Sequence, residues 1–316
     1  MLQRDRLIVA TDRVIKKAKE LAAASGQNAK ASADWQAAVS DPAVEAVVVS
    51  TTNNWLAPIT LAAIESGKHV LVEKPAARSA AELKPVVEAA ERCDRCVWVG
   101  FNLRYHPAIR KAREIVASGR LGALMSVRAR YGHGGRIDYD REWRADPKIS
   151  GGGELLDQGV HLIDLARWFL GEFEHVCGYA PTFYWDMPVD DNAFLLLKTR
   201  AGQAAWLHAS CTQWKNLFSF EIFGRSGAVV IEGLGGSYGV ERLTHHRVKP
   251  ELGPPETTSW EFAGEDPSWE AEFRDFVDTA KERKRAKTSL RDALSALEVI
   301  AQVYEEGQHA AVTVDY

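Results

Sequence analysis

Short apolar runs alternate with helical stretches from Leu7 to Gly100, and this alternation constrains the fold more than any other feature of the chain. Leu7-Ile8-Val9-Ala10 reads as a strand buried on both faces. Asp12 follows it and suits the cap of a helix expected from Arg13 to Ala24, which stops at Gly26. Ala46-Val47-Val48-Val49, Val70-Leu71-Val72 and Val97-Trp98-Val99 read as further strands, separated by helices expected over Trp55–Ser66 and Ala80–Arg92. Such spacing implies βαβ units and a parallel sheet.

After Gly100 the rhythm changes. A helix is expected from Pro107 to Ser118, closed by Gly119. Alternating segments follow at 125–131, 193–199, 204–211, 218–223 and 228–232, separated by turn pairs such as Ala201-Gly202 and Ser226-Gly227. That pattern predicts a large, mostly antiparallel sheet with one covered face. A helix over Glu154–Leu170 interrupts it, and helices near Trp269–Arg283 and Ser289–Glu305 close the chain. The fold class is therefore α/β: an incomplete Rossmann-type parallel sheet over residues 1–103, then a C-terminal α/β domain over 104–316. The last helices are expected to pack back toward the first domain.

Composition excludes several classes. The net charge of -4 argues against nucleic acid as the main partner. No apolar stretch approaches the ~20 residues of a membrane span. Met1 to Arg6 lacks the apolar core of a signal peptide, so a cytoplasmic location is expected. Cys93 and Cys96 form a lone C-x-x-C without matching ligands; they read as a helix end and a strand entry, and no metal site is expected.

One part of a dinucleotide fold is not found. No glycine-rich phosphate loop precedes the first strand. The acidic residue that holds the adenosine ribose lies about 20 residues beyond such a loop. Asp12 suits that role, and counting back runs off the chain; Asp12 also reads as a plain helix cap. In the strand order 3-2-1-4-5-6 the absent strand is central, so two strands are expected to face a gap. A misplaced start is the first expectation, with a remnant or a self-repairing sheet as the others. Gly233 to Gly239 mimics a phosphate loop, but the strand-like Val240-Glu241-Arg242-Leu243 follows it, so a turn is expected there.

Two segments carry the chemistry. Glu73-Lys74-Pro75 ends an apolar strand, where open α/β sheets bind ligands, and Pro75 suggests a fixed turn with a cis bond. In Gly151-Gly152-Gly153-Glu154-Leu155-Leu156-Asp157-Gln158-Gly159-Val160-His161, Asp157 and His161 stand four apart on one helix face, with Asp164 one turn on. The glycines allow a ligand or another backbone to approach closely. Oxidising a hydroxyl needs a base and a donor to hold the oxygen; imidazole and a lysine ammonium suit these tasks. Lys74, Asp157 and His161 make such a set if the two domains bring them together. Arg136 and Arg141 to Arg144 read either as an anion site or as salt bridges with Asp138, Asp140 and Glu142.

With Gly100-Phe101-Asn102-Leu103-Arg104-Tyr105-His106-Pro107 and Trp143-Arg144, these motifs make the chain resemble the Gfo/Idh/MocA oxidoreductases over nearly its whole length. The resemblance implies an N-terminal Rossmann domain, a C-terminal sheet that often mediates oligomers, and NAD(P)-dependent oxidation or reduction of sugars, polyols or nucleotide sugars. It makes Lys74 the residue that orients nicotinamide and substrate, and Asp157 and His161 the substrate-hydroxyl and proton-transfer residues. Thr51, Asn53 and Glu73 would line the nicotinamide side, Asn102 the cleft floor, and Trp143 and Arg144 would reach the cofactor. Asp12 would favour NAD over NADP, since a carboxylate repels a 2′-phosphate. The lost strand and loop put cofactor binding by this chain in question. A homo-oligomer is expected, with exposed Trp206, Trp214 and Phe218 either at a sheet-to-sheet contact or in the core. The alternatives are an NAD-retaining glycoside hydrolase of the same fold and a cofactor-free sugar-binding or interaction protein.

Overall fold

The computed structural model describes residues 6–93, 95–282 and 286–309. The N-terminal residues read against a signal peptide, and Arg283 at the end of a predicted helix, lie outside them apart from Arg6. The chain forms two compact units: residues 1–77, 81–100 and 270–291, and residues 78–80, 101–269 and 292–316.

The first unit follows the predicted alternation. In chain order it holds β1 (Val9–Thr11), α1 (Ile15–Ala24), β2 (Lys30–Ser32), α2 (Trp35–Ser40), β3 (Ala46–Val49), α3 (Asn53–Glu65), β4 (His69–Glu73), α4 (Ala80–Arg92) and β5 (Val97–Gly100). The polar strand β2 and the six-residue helix α2 are too short to carry the periodic signal that marks the others. Asp34 caps α2 by accepting the Ala37 N–H at 3.0 Å. All pairings are parallel, but they fall into two sheets, β1-β2 and β3-β4-β5, with no ladder joining them among the described residues. Double-sided burial therefore fails on the flanking strands: Val9 is half-buried, and Val48 on β3 is 54% exposed. Val70, Val72, Val99 and Trp98 are fully buried, and the Trp98 ring meets Phe276 edge-on at 6.4 Å.

The second unit contains α5 (Pro107–Ala117), β6 (Leu124–Gly132), α6 (Pro147–Ser150), α7 (Val160–Leu170), β7 (Phe173–Tyr179), β8 (Asn192–Thr199), β9 (Ala204–Ser210), β10 (Leu217–Gly224), β11 (Gly227–Glu232), β12 (Glu241–Arg247) and β13 (Glu256–Phe262). These strands form one eight-stranded sheet in the order β13-β12-β11-β10-β6-β9-β8-β7, parallel only between β6 and β9. Its inner face, with Val127, Ala129, Leu207 and Phe220, is buried with Ile109 of α5 and Leu162 of α7. The chain ends in α8 (Ser268–Lys281), most of which groups with the first unit, and α9 (Leu290–His309). No helix among the described residues is long and apolar enough to cross a membrane.

Phe218 is buried, which removes it from any surface contact, whereas Trp206 and Trp214 are exposed. Gly233 to Gly239 is a turn leading into β12, as its spacing implies.

Candidate functional site

In the first unit the candidate residues collect at the carboxyl ends of parallel strands. Asp12 follows β1, and its Oδ1 accepts the Val14 N–H at 2.7 Å. It thus precedes α1 as an Asx turn, two residues from the donor, rather than as the helix cap itself. Thr51 is exposed just beyond β3, and the buried Asn53 opens α3. Glu73 ends β4 and Lys74 follows it. The Lys74–Pro75 bond is cis, and Ala76 N–H returns to the Glu73 carbonyl at 3.0 Å with Ala76 at φ 70°. Gly100, paired with Glu73 across β4-β5, keeps this corner open: a Cβ there would lie 3.4 Å from the Glu73 carboxylate.

In the second unit the site is built around a helix with a defect. The predicted continuous helix over 154–170 begins as a π-turn, Leu155–Gly159, before α7 continues. Such wide turns collect at functional positions. Asp157 stands inside the widened turn and His161 at the start of α7, so the simple four-residue face of an ideal helix does not describe them. The buried Asp190 carboxylate holds the start of the turn, accepting the Gly153 N–H at 3.0 Å and the Leu155 N–H at 2.7 Å. The triple glycine is required by protein neighbours that approach closely. A Cβ at Gly153 would collide with the Asp190 carbonyl, at Gly152 with the Tyr304 hydroxyl, and at Gly151 with Arg78.

His161 is 5% exposed, with its ring edge-on to Phe101 at 6.2 Å and to Tyr131 at 6.1 Å. Asp157 is half-buried and accepts from Arg144 Nε at 3.0 Å. The Arg144 guanidinium lies over the Trp143 ring at 4.5 Å, which makes this pair one positioning element. Asn102 is buried and donates to Ser268 Oγ at 3.0 Å. Asp164 leaves the polar set: it is fully buried and takes the Arg104 Nε at 2.8 Å, a structural ion pair. The remaining arginines resolve as salt bridges, Arg136 with Glu142 and Arg141 with Asp138.

Five residues around this turn carried no role in the sequence reading. Tyr131 points inward by strand alternation, and Tyr238 of the glycine-rich turn meets it at 5.1 Å. His133 sits 3.6 Å from Glu154, and Tyr139 donates to Glu154 Oε1 at 2.7 Å. Burial pushes His133 down and Tyr131 and Tyr139 up, while Glu154, buried beside Asp157, is pushed up to about 8. Nothing in their sequence spacing marks Tyr139 or Tyr238, because long loops deliver both. Among the described residues no cluster of metal-binding side chains occurs.

Residues 2–101 match the model of an oxidoreductase family with an NAD-binding Rossmann fold, and residues 109–230 match the GFO/IDH/MocA C-terminal domain. The chain is 30% identical over 224 residues to levoglucosan dehydrogenase of Pseudarthrobacter phenanthrenivorans, covering 62% of this chain and 57% of that protein. It is 32% identical over 200 residues to 1,5-anhydro-D-fructose reductase of Ensifer adhaerens, covering 61% and 58%. The chain thus spans less than three fifths of the length of these curated relatives. The solved levoglucosan dehydrogenase complex with NADH and levoglucosan superposes with a TM-score of 0.86 over 95% of this chain and 88% of that one, at 23% identity, a likeness of fold. An oxidoreductase domain protein from Kribbella flavida superposes at 0.84 with 27% identity, over 95% and 87%.

Proposed function

The chain belongs to the Gfo/Idh/MocA oxidoreductase family, and from that premise we propose that it moves a hydride between NAD(P) and a hydroxyl or carbonyl carbon of a neutral sugar, anhydro sugar or cyclitol. The observation that carries this reading is the half-buried Asp157 carboxylate, held by Arg144 one turn before an imidazole framed by Phe101 and Tyr131. A neutral substrate fits better than a nucleotide-linked or acidic one, because Arg136, Arg141 and Arg144 are each paired with a carboxylate.

The residues present fit the ribose and nicotinamide ends of the cofactor. Asp12 Oδ1 accepts the Val14 N–H and its Oδ2 would hold a ribose hydroxyl, and Thr51, Asn53, Glu73 and Lys74 stand at or just beyond the carboxyl ends of β3 and β4, where such ligands bind. Asn102, Trp143 and Arg144 would complete the set, and Asp12 favours NAD over NADP. When bound, the nicotinamide supplies the hydride acceptor or donor. In the oxidative direction the substrate carbon loses hydride, its hydroxyl proton passes to His161, and a carbonyl forms. The Lys74 ammonium holds the reacting oxygen, and Asp157 orients a hydroxyl.

The assay is NAD and NADP turnover with levoglucosan, myo-inositol and D-xylose. Lys74→Ala and His161→Ala should each lower turnover by at least ~100-fold, with circular dichroism unchanged. Undiminished turnover in both variants removes the mechanism. Loss of a leaving group without net reduction of added NAD would instead mark an NAD-retaining glycoside hydrolase. Absence of saturable NAD binding by calorimetry would mark a cofactor-free binding protein.

We also propose a homo-oligomer formed through the outer face of the eight-stranded sheet. Leu196 (55% exposed) and Trp206 (39% exposed) are direct cross-strand partners there, beside the stacked pair Phe194 and His208. A contiguous apolar patch of this kind on a sheet face suits a protein contact. Trp206→Glu should lower the mass seen by light scattering; an unchanged mass removes this face as the contact.

A further inference from the structure

Glu154 lies on the same turn as Asp157, and the proposed chemistry leaves it without a task. It is 2% exposed. Its Oε1 accepts the Tyr139 hydroxyl at 2.7 Å and lies 3.6 Å from His133 Nε2. Its Oε2 is buried and takes no hydrogen bond among the described residues. The Cys211 thiol, which lies 3.6 Å from the Asp191 carbonyl, also interacts with the Glu154 carboxyl by a weak hydrogen bond that favours its charged form, a pull smaller than that of burial.

A carboxylate sealed from water with one oxygen unsatisfied is costly, whereas the neutral acid is far less so. The surroundings offer little compensation. Asp157 is on its own turn, and Asp190 precedes β8. Tyr131 on β6, Tyr238 of the glycine-rich turn and Tyr304 on α9 also feel its charge. The basic group facing it, His133, is itself held toward the neutral form by burial. Arg144 is committed to Asp157.

We propose that Glu154 and Asp157 hold one proton between them with Glu154 as its seat, so that Glu154 is a positioning residue: kept neutral, it leaves Asp157 charged and paired with Arg144. Two carboxyls in such surroundings do not both ionise readily. Burial, and then the charge of Asp157, push the Glu154 acid up to about 8, so the proton stays at neutral pH and leaves above it. Its loss sets a second negative charge competing with Asp157 for Arg144, which gives the site an alkaline limit. The link to turnover rests on the function proposed above; the shared proton itself does not.

The test is the pH profile of kcat/KM for the wild type, Glu154→Gln and Tyr139→Phe with whichever of the three sugars is turned over. Glu154→Gln should stay within a few-fold of wild type at pH 7 and lose the fall near pH 8. Tyr139→Phe should move that fall to higher pH, because the hydroxyl that favours the ionised carboxyl is gone. A fall that persists unmoved in both variants overturns the proposal. If no sugar is turned over, the functional reading fails and a carbon-detected NMR titration of protein carrying 13C-glutamate decides this one. A carboxyl signal with its midpoint near 8 that is absent from Glu154→Gln supports the shared proton. Every glutamate signal titrating near its ordinary value overturns it. Should Glu154→Gln not fold, the wild-type titration and its displacement in Tyr139→Phe serve the same purpose.

Discussion

Arg144 Nε donates to Asp157 Oδ2 at 3.0 Å while the Arg144 guanidinium rests on Trp143. The pair is partly exposed, so its contribution to stability is small, and its consequence is orientation of the carboxylate. Arg144→Lys keeps the charge and loses both the planar donor and the stacking. We expect kcat/KM for a turned-over sugar to fall ~10-fold or more in Arg144→Lys, with the melting temperature within about 2 °C of wild type. Equal kcat/KM would show that Asp157 needs no such support.

Arg104 and Asp164 are 7% and 1% exposed and bonded side chain to side chain. Removing Asp164 leaves the buried Arg104 charge without its main partner. Asp164→Ala should therefore cost on the order of 3–5 kcal/mol in urea unfolding. A cost below ~1 kcal/mol would mean that Asp292, which also lies 3.4 Å from Arg104, suffices.

Stability should also record the buried Glu154. Its folded value of about 8 stands above the ordinary 4.5. The unfolded chain therefore binds fewer protons than the native state between those values. The Glu154 contribution is complete below about 4.5 and is lost as pH rises through about 8. The melting temperature of Glu154→Gln relative to wild type should rise across that window. A constant difference would contradict the sign.

The triple glycine gives a steric prediction. Gly153 N–H meets Asp190 Oδ1 at 3.0 Å, and a methyl group at Gly153 runs into the Asp190 carbonyl. Gly153→Ala should lose ~1–3 kcal/mol, read by denaturant unfolding, through overpacking at the start of the π-turn. Gly202→Ala, where a Cβ meets nothing within 4 Å but φ is +89°, separates that collision from backbone strain.

The cysteines divide by burial. Cys177 is exposed, whereas Cys96 is buried, its thiol pushed up to about 11 by burial and by Asp275. Iodoacetamide at pH 8 should reach Cys96 only on unfolding. Rapid native labelling of Cys96 would place it in an open segment.

Much of the architecture was legible because it is periodic. The apolar runs at 46–49 and 70–72 and the alternation along β6, β8 and β9 predict strand type directly, and buried face for all but β3, whose Val48 is exposed. β2 and α2 escaped because they are short, three and six residues, and too brief to show a period of their own. The contiguous motifs Glu73-Lys74-Pro75 and Gly151 to His161 were legible for a different reason: the turn and the short helix that carry them need those residue types in unbroken order.

Sequence alone determined the family, the strand-and-helix plan and the two segments that bear the chemistry, because these are written in neighbours along the chain. Only the tertiary structure decided that Asp164 is a structural ion-pair member, that Phe218 is core, that the arginines of residues 136–144 are neutralised, and that Tyr139 donates to Glu154. The Arg136–Glu142 and Arg141–Asp138 pairs are local and exposed, whereas the Arg104–Asp164 and Tyr139–Glu154 contacts join groups distant in sequence where water is excluded. Burial and charge pairing at such places set the energy of a side chain, and spacing along the chain carries no record of them.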